Sequence, residues 1–451
     1  MSLQTSSGGM GALMHSLIVD LFPNCRSITG DGFRASLHRL AEIAPITLTE
    51  VPSGTSVFDW TVPKEWNIKD AWVADSSGRR WIDFRESNLH VVNYSIPVRA
   101  RMSLSDLKRH LHTLPGQPHL IPYRTTYYAE DWGFCLSQYV FDQLPEGDYE
   151  VCIESTLAPG HLTYGECVLP GTISDEILIS VHSCHPSLAN DNLSGMAVAA
   201  FMARVLSRHE RRHTFRFLFI PGTIGSITWL ATHESEAWRI RHGLVLSCLG
   251  DTGQLTYKRS RSGSAPVDRA AANVLRGQGT VRDFVPYGYD ERQYCSPGFN
   301  LPVGCLTRTP NGEFPEYHTS ADNLDFVRPE SLEDSLSKAL AIVEILEQNA
   351  VCLNLKPKCE PQLGRRGLYS NKGGVTPPDF QMAMLWVLNL SDGRHTLLEI
   401  AERASMPFAI ISEAAQALRL AGLLKTIGRS QGPESNGAVS VGTMEGDLAR
   451  T

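Results

Sequence analysis

Three apolar runs in the middle of the chain most constrain its fold. They read DEILISVHS (175–183), TFRFLFIPG (214–222) and GLVLSCLG (243–250). Between them lie two helix-like stretches, NLSGMAVAAFMARVLSRHE (192–210) and GSITWLATHESEAWRIRH (225–242). Short, continuous apolar runs alternating with helical patterns imply strands covered on both faces. The fold expected is therefore α/β: a largely parallel or mixed sheet with helices on both sides. In such a fold ligands bind at the carboxyl ends of the strands.

The rest of the chain divides around this body. Residues 10–45 carry apolar positions at helical spacing, and PESLEDSLSKALAIVEILEQN (329–349) is a long helix opened by Pro329. From 51 to 122 short alternating runs with turn signals predict a small β-rich insertion, so the main domain comprises 1–50 and 123–353. A Pro/Gly/basic linker (354–377) leads to residues 378–427, whose helix–turn–helix rhythm and β-prone end predict a winged helix. The Gly/Ser-rich tail, 428–451, reads as disordered.

Composition bounds the function. Apolar residues make up 42% and charged residues 20% of 451, the balance of an ordinary globular protein. A net charge of -7 argues against a protein whose main task is gripping nucleic acid. No apolar run is long enough for a membrane helix, and the first residues lack a secretory pattern. The ten cysteines are scattered without a CxxC pair, which points to reduced thiols and a cytoplasmic location.

The chemistry concentrates where DEILISV hands over to a helix. VHSCHPSLANDNLSG (181–195) places His182, Cys184, His185, Asn190, Asp191 and Asn192 at that junction. The next strand ends in PGTIGS (221–226), the third delivers Asp251, and FPEYHTSADNLD (314–325) supplies His318. Imidazole and carboxylate groups at one sheet edge suit zinc. Singly each is weak: His182 and Cys184 read as structural, and an aspartate after a strand is commonly a turn residue. The argument is their coincidence at successive junctions.

These segments, with FPNCRSITG, FDWTVPKEWNI, TTYYAEDWGFCLS and YDERQYCSPGFNLPVG, resemble the zinc-dependent aminopeptidase family. They are most similar to its bacterial aminopeptidase-like branch, with an inserted β domain and a C-terminal winged helix. The resemblance implies an amide- or peptide-bond hydrolase acting beside a free amine, with His185, Asp191, Asp251 and His318 as metal ligands. It also implies that Asp290 and Arg292 line the substrate pocket, with Tyr317 beside them. One departure stands out. Where the family carries glutamates after the second strand, and this branch one, Gly222 and Thr223 stand here. The expectation is one firmly bound zinc ion and a weak second site. Glu291 and Glu316 are the candidates to replace the missing base. The alternatives are a non-hydrolytic biosynthetic enzyme (acyl transfer or cyclisation) or an inactive binding module. The substrate expected is a small molecule or peptide, and a homo-oligomer is left open. The second helix of the winged unit, PFAIISEAAQALRLAG, holds a single basic residue, Arg419, so protein or peptide docking, or packing against the rest of the chain, is expected there rather than DNA binding.

Overall fold

The computed structural model describes residues 9–368 and 378–428. An eight-stranded sheet runs through its centre. Across it the strands lie in the order Thr47–Pro52, His161–Leu169, Thr214–Ile220, Glu176–His182, Ile240–Leu246, Val303–Thr307, Leu255–Lys258 and Gly279–Arg282. The four from Thr214–Ile220 to Val303–Thr307 are parallel. Their outer neighbours join antiparallel. Every residue of Glu176–His182 is buried, which is why that strand is written without alternation. The helix Gly195–Leu206 is buried on nearly all sides, packed between the sheet and the helices Met10–Leu21 and Pro329–Gln348.

The inserted β unit exists, with boundaries that depart from 51–122. Its four-stranded antiparallel sheet runs Arg80–Asp83, Glu65–Asp75, Asp148–Ala158, Val98–Ser103. Thr47–Pro52 pairs instead with His161–Leu169 at the edge of the large sheet. Asp148–Ala158, expected in the main body, belongs to the insertion: its burial largely alternates, the mark of a strand with one wet face. Val73, Leu107, Phe134 and Val151 form a separate small core beneath it.

The C-terminal unit has helices Pro378–Leu390, Leu397–Ala404 and Phe408–Leu420 and a three-stranded sheet. The middle strand of that sheet is Val351–Asn354, lying between Asp392–Thr396 and Leu424–Gly428. The unit therefore starts at about 351, upstream of the expected 378; of the apparent linker, residues 369–377 lie outside the described residues. The residues assigned to a tail, beyond 428, lie outside the described residues. The unit is docked on the main domain. Arg269 Nε pairs with Glu402 at 2.8 Å, Asn273 Oδ1 accepts from Phe408 N at 3.0 Å, and Ser412 Oγ donates to Gln348 at 2.7 Å. Among the described residues no helix is long and apolar enough to cross a membrane.

Candidate functional site

The parallel strands end on one edge, and the site assembles there. His182 is the last residue of Glu176–His182 and is fully buried. Its Nε2 lies 2.7 Å from Asp191 Oδ1. The other carboxylate oxygen, Oδ2, lies 3.0 Å from His318 Nε2. His185 completes the group, its ring centroid 5.1 Å from both the His182 and the His318 rings. His182, His185 and Asp191 offer ligand atoms all within 4.8 Å of one another. Asn192 fixes the junction: its Nδ2 donates to the carbonyls of His182 (3.2 Å) and Leu246 (3.0 Å), tying two strand ends together. Asp322 accepts from the backbone N–H of Asn190 (2.5 Å) and Asp191 (2.9 Å).

Tyrosines wall the cluster. The Tyr289 hydroxyl donates to Asp191 at 2.9 Å, and its ring stacks on His182 at 3.7 Å. Tyr317 stacks on His318 at 3.9 Å and meets the Tyr289 hydroxyl at 3.1 Å. Tyr123 sets its ring edge-on to His185 and His318, each 5.0 Å away. His318 and Thr223 adopt left-handed φ values of 55° and 66°, uncommon for residues with a Cβ and enriched at functional sites.

The electrostatics favour metal binding. Burial, aided by the neighbouring imidazoles of His318 and His182, pulls the His185 pKa well below its ordinary value and keeps the ring neutral. Burial alone would raise Asp191, but His185, His182 and His318 overcome it and hold the carboxylate well below its usual range. A neutral His185 beside an ionised Asp191 gives two ligands in the protonation states a metal needs. Tetrahedral zinc with bonds of about 2.0–2.1 Å separates its ligand atoms by about 3.3 Å. His182, His185 and Asp191 keep their ligand atoms within 4.8 Å of one another, so this buried set of two imidazoles and a carboxylate has the donor chemistry to hold a zinc ion.

The structure does not gather all the expected residues. Asp251 stands apart: its carboxylate accepts from Asn190 Nδ2 (3.0 Å), Gly253 N (2.7 Å), Thr309 N (3.3 Å) and Thr309 Oγ1 (2.8 Å). Its carboxylate lies outside the His182, His185 and Asp191 group and ties its loop to Thr309. His182, read from the sequence as structural, takes the place at the cluster instead. Glu291 is buried and turned to Lys258 Nζ at 2.5 Å, away from the imidazoles. Glu316 contributes its carbonyl, which accepts from Thr319 Oγ1 at 2.8 Å in the turn that carries His318. Arg292 lines a cavity of about 500 Å³ with Trp60 and Thr223. Asp290 is buried beside the site. Its Oδ1 accepts from Thr223 N (2.8 Å) and Ser226 Oγ (2.7 Å), while Oδ2 has no partner. Burial raises its pKa, and the charge of His182 opposes that rise. At Gly222 an added Cβ would meet only His182 Cβ at 3.5 Å and Cys184 Sγ at 3.6 Å, so a side chain there would face the site without a clash. Sequence reasoning also missed Tyr289. Its neighbours Asp290 and Arg292 were noticed, and a tyrosine beside them in a charged loop was the available signal.

Residues 15–349 match a family described as a domain of unknown function, DUF4910. The chain belongs to this family. Residues 350–426 match a winged helix-turn-helix family. A Clostridium acetobutylicum protein, provisionally named a polysaccharide biosynthesis protein with aminopeptidase-like domain, is 50% identical over 426 residues, 94% of this chain and 98% of its own. A crystal structure from Clostridium acetobutylicum, provisionally called a peptidase, shares 49% identity and superposes with a TM-score of 0.88, covering 92% of this chain and 96% of that one. The Bacillus subtilis zinc aminopeptidase BSAP superposes with a TM-score of 0.56 at 13% identity, covering 76% and 95%. This DUF4910 chain thus has the zinc-aminopeptidase fold with a C-terminal winged helix, as its motifs implied.

Proposed function

We propose that the protein is a metal-dependent hydrolase that cleaves an amide or peptide bond beside a free amine in a small substrate. The observation that carries this reading is the buried Asp191 carboxylate, met at one oxygen by His182 and at the other by His318, with His185 alongside. His182, His185 and Asp191 would hold zinc, with His318 on the other oxygen of the carboxylate. The chemistry such an ion supplies is Lewis acidity, which polarises a carbonyl and acidifies water. The protein's own groups do the rest. Tyr289 steadies Asp191 through its hydroxyl and His182 through its ring. Asp290, with one oxygen anchored and one free, takes the proton that a glutamate at position 222 would otherwise accept. Arg292, beside Thr223, borders the space for the rest of the substrate. The polysaccharide-biosynthesis name of the Clostridium relative supports an amide on a sugar building block as the substrate class.

A second reading is favoured by Gly222. The slot beside His182 and Cys184 is free of a carboxylate, which suits transfer of an acyl group to a bound amine as well as hydrolysis.

The test is zinc content by elemental analysis on the wild type, His182→Ala and Asp191→Ala, followed by assays on aminoacyl p-nitroanilides. Zinc in the wild type, lost in both variants and accompanied by chelator-sensitive cleavage, is expected. A zinc-loaded protein that transfers the acyl group to an added amine but not to water would select the second reading. A wild type that takes up no zinc when it is supplied would refute both.

A further inference from the structure

Two arginines without an acid partner line one cavity. It holds about 500 Å³, and Arg292 and Arg261 both stand in its wall. None of its lining residues is an aspartate or a glutamate. By contrast, Arg216 pairs with Glu166 and Glu176, Arg269 with Glu402 and Arg308 with Asp334. The Arg292 guanidinium has only the Thr223 hydroxyl, at the long distance of 3.4 Å, and that of Arg261 only Asn300 Oδ1, at 3.0 Å. The side chains of Gln293 and Ser296, also in the wall, have no hydrogen-bond partner among the described residues. Two like charges around one hollow, with no acid between them, raise a positive potential that collects anions.

Arg292 is rigidly mounted. It belongs to the turn Glu291–Tyr294. On one side of it Asp290 accepts from Thr223 N and Ser226 Oγ, and on the other the Tyr294 hydroxyl meets Ser180 Oγ of the strand Glu176–His182 at 2.9 Å. A guanidinium on a fixed support has less freedom to lose on binding. The rest of the wall is apolar and partly aromatic, with Trp60, Ile227 and Phe284. Trp60 stands on the hairpin of Ser56–Val57 and Trp60–Thr61 and is 40% exposed, which leaves ring surface for a ligand.

The cavity adjoins the imidazole cluster on two sides. Thr223 lines it, donates to Asp290, and follows Gly222, whose open position faces His182. From Trp60 the rings run edge-on to Tyr128 at 5.2 Å and from there to Tyr127 at 6.1 Å, whose hydroxyl lies 3.7 Å from Cys184 Sγ, next to His185. One guanidinium fork satisfies one carboxylate. Two guanidiniums with an amide and a hydroxyl suit the larger oxygen count of phosphate groups. Aromatic rings beside arginine take a planar base by stacking. The volume is that of an ordinary small-ligand site.

We propose that this cavity is a nucleotide subsite: Arg292 and Arg261 take the phosphates of a nucleoside diphosphate, and Trp60 and Phe284 take its base. Assigning that group to the substrate rests on the amide-cleaving reading and narrows it: the amide is carried on a nucleotide-linked molecule. The nucleotide binds and positions, and the reacting atoms stay at the Asp191 cluster.

The experiment is titration calorimetry of the chelator-stripped full chain with UDP and ADP, their parent nucleosides, pyrophosphate and succinate. The wild type, Arg292→Gln, Arg261→Gln, Trp60→Ala and His182→Ala are compared, and melting temperatures are recorded without ligand. Saturable binding of at least one of the two nucleotides is expected, at least about tenfold tighter than its nucleoside, pyrophosphate or succinate. Arg292→Gln and Arg261→Gln should each weaken it at least about tenfold, about 1.4 kcal/mol. Trp60→Ala should weaken the nucleotide and leave pyrophosphate unchanged, and His182→Ala should bind as the wild type does. No saturable nucleotide binding, equal affinity for pyrophosphate, preference for succinate, or loss of binding in a folded His182→Ala protein would overturn the proposal. So would wild-type nucleotide affinity in either arginine variant or in Trp60→Ala. Should Arg292→Gln fail to fold, the exposed Arg261 and Trp60 still decide it. Binding to stripped protein needs neither zinc nor cleavage, so their absence in the wild type would strike the reading of the site instead.

Discussion

Replacing Asp251 by alanine should destabilise the protein without releasing metal. The carboxylate is 2% exposed and collects four hydrogen bonds, from Asn190, Gly253 and twice from Thr309. Removing it leaves the Asn190 side-chain N–H₂ without its buried acceptor, at about 1–3 kcal/mol. The Gly253 and Thr309 donors are only partly buried and regain water, at a cost of about 0.5–1 kcal/mol each. The sum is about 2.5–6 kcal/mol, reaching past the usual range for a single substitution. Asn190 also holds Gly250 N at 2.8 Å, so the loss loosens the strand-end loop rather than the imidazole cluster. Urea unfolding followed by fluorescence measures the stability, and elemental analysis measures zinc per chain on the same samples. His182→Ala is the counterpart, expected to lose zinc. A folded Asp251→Ala protein that has lost its zinc while His182→Ala retains it would refute the assignment and restore Asp251 as the ligand.

Other expectations follow from the same geometry. Asp290→Asn should keep the acceptor for Thr223 N and Ser226 Oγ, leave the melting temperature nearly unchanged, and lower kcat/KM for amide cleavage by about 10²–10⁴. A variant as active as the wild type would place the base elsewhere. Adding Gly222→Glu in that background should return at least about 10² of the loss, since the new Cβ meets ordinary contacts and Gly222 has no left-handed φ. A zinc-loaded double variant with no recovery would show that position 222 does not address the reaction. His242 tests the large sheet. Burial, with the charges of His213, Arg212 and Arg241, lowers its pKa to about 3. The unfolded chain therefore protonates first as pH falls below about 6.5. Stability should drop by up to about 1.4 kcal/mol per pH unit from there until about pH 3, where the folded state also protonates. His242→Gln should flatten that slope in urea midpoints at pH 7, 5 and 4, and an unchanged slope would exonerate this residue.

The central strands and their junction were readable because burial on both faces writes an uninterrupted apolar run, as in EILISV. Asp191 was readable because it sits where such a run becomes a helix. The errors fell where the answer depends on a partner far along the chain. Asp251 could serve a metal or a loop, and its contact to Thr309, 58 residues on, could not be foreseen from the sequence. Tyr289 meets Asp191 across 98 residues. Asp290 and Glu291 are neighbours, yet one turns to Thr223 and the other to Lys258, since consecutive residues at a helix start point in different directions. His182 could be read as filling space or offering a nitrogen, because a histidine ending a buried strand looks the same in either case; its neighbours at the cluster come from other elements. Asp148–Ala158 was misplaced for a different reason: its alternation was visible, but the strands it pairs with, such as Glu65–Asp75, lie far upstream.

The threading of the C-terminal sheet has a practical consequence for anyone dissecting the protein. Val351–Asn354 is the sheet's central strand and follows the helix Pro329–Gln348 almost without a break. A truncation placed at the visible change of composition, between 355 and 377, would keep that strand on the larger fragment with both edges bare. It would leave the smaller fragment with two outer strands and nothing between them. Bare edges recruit other chains, so such fragments should be sticky and poorly soluble. Their behaviour would say nothing about whether the two units can work apart; a clean division has to fall before Ala350.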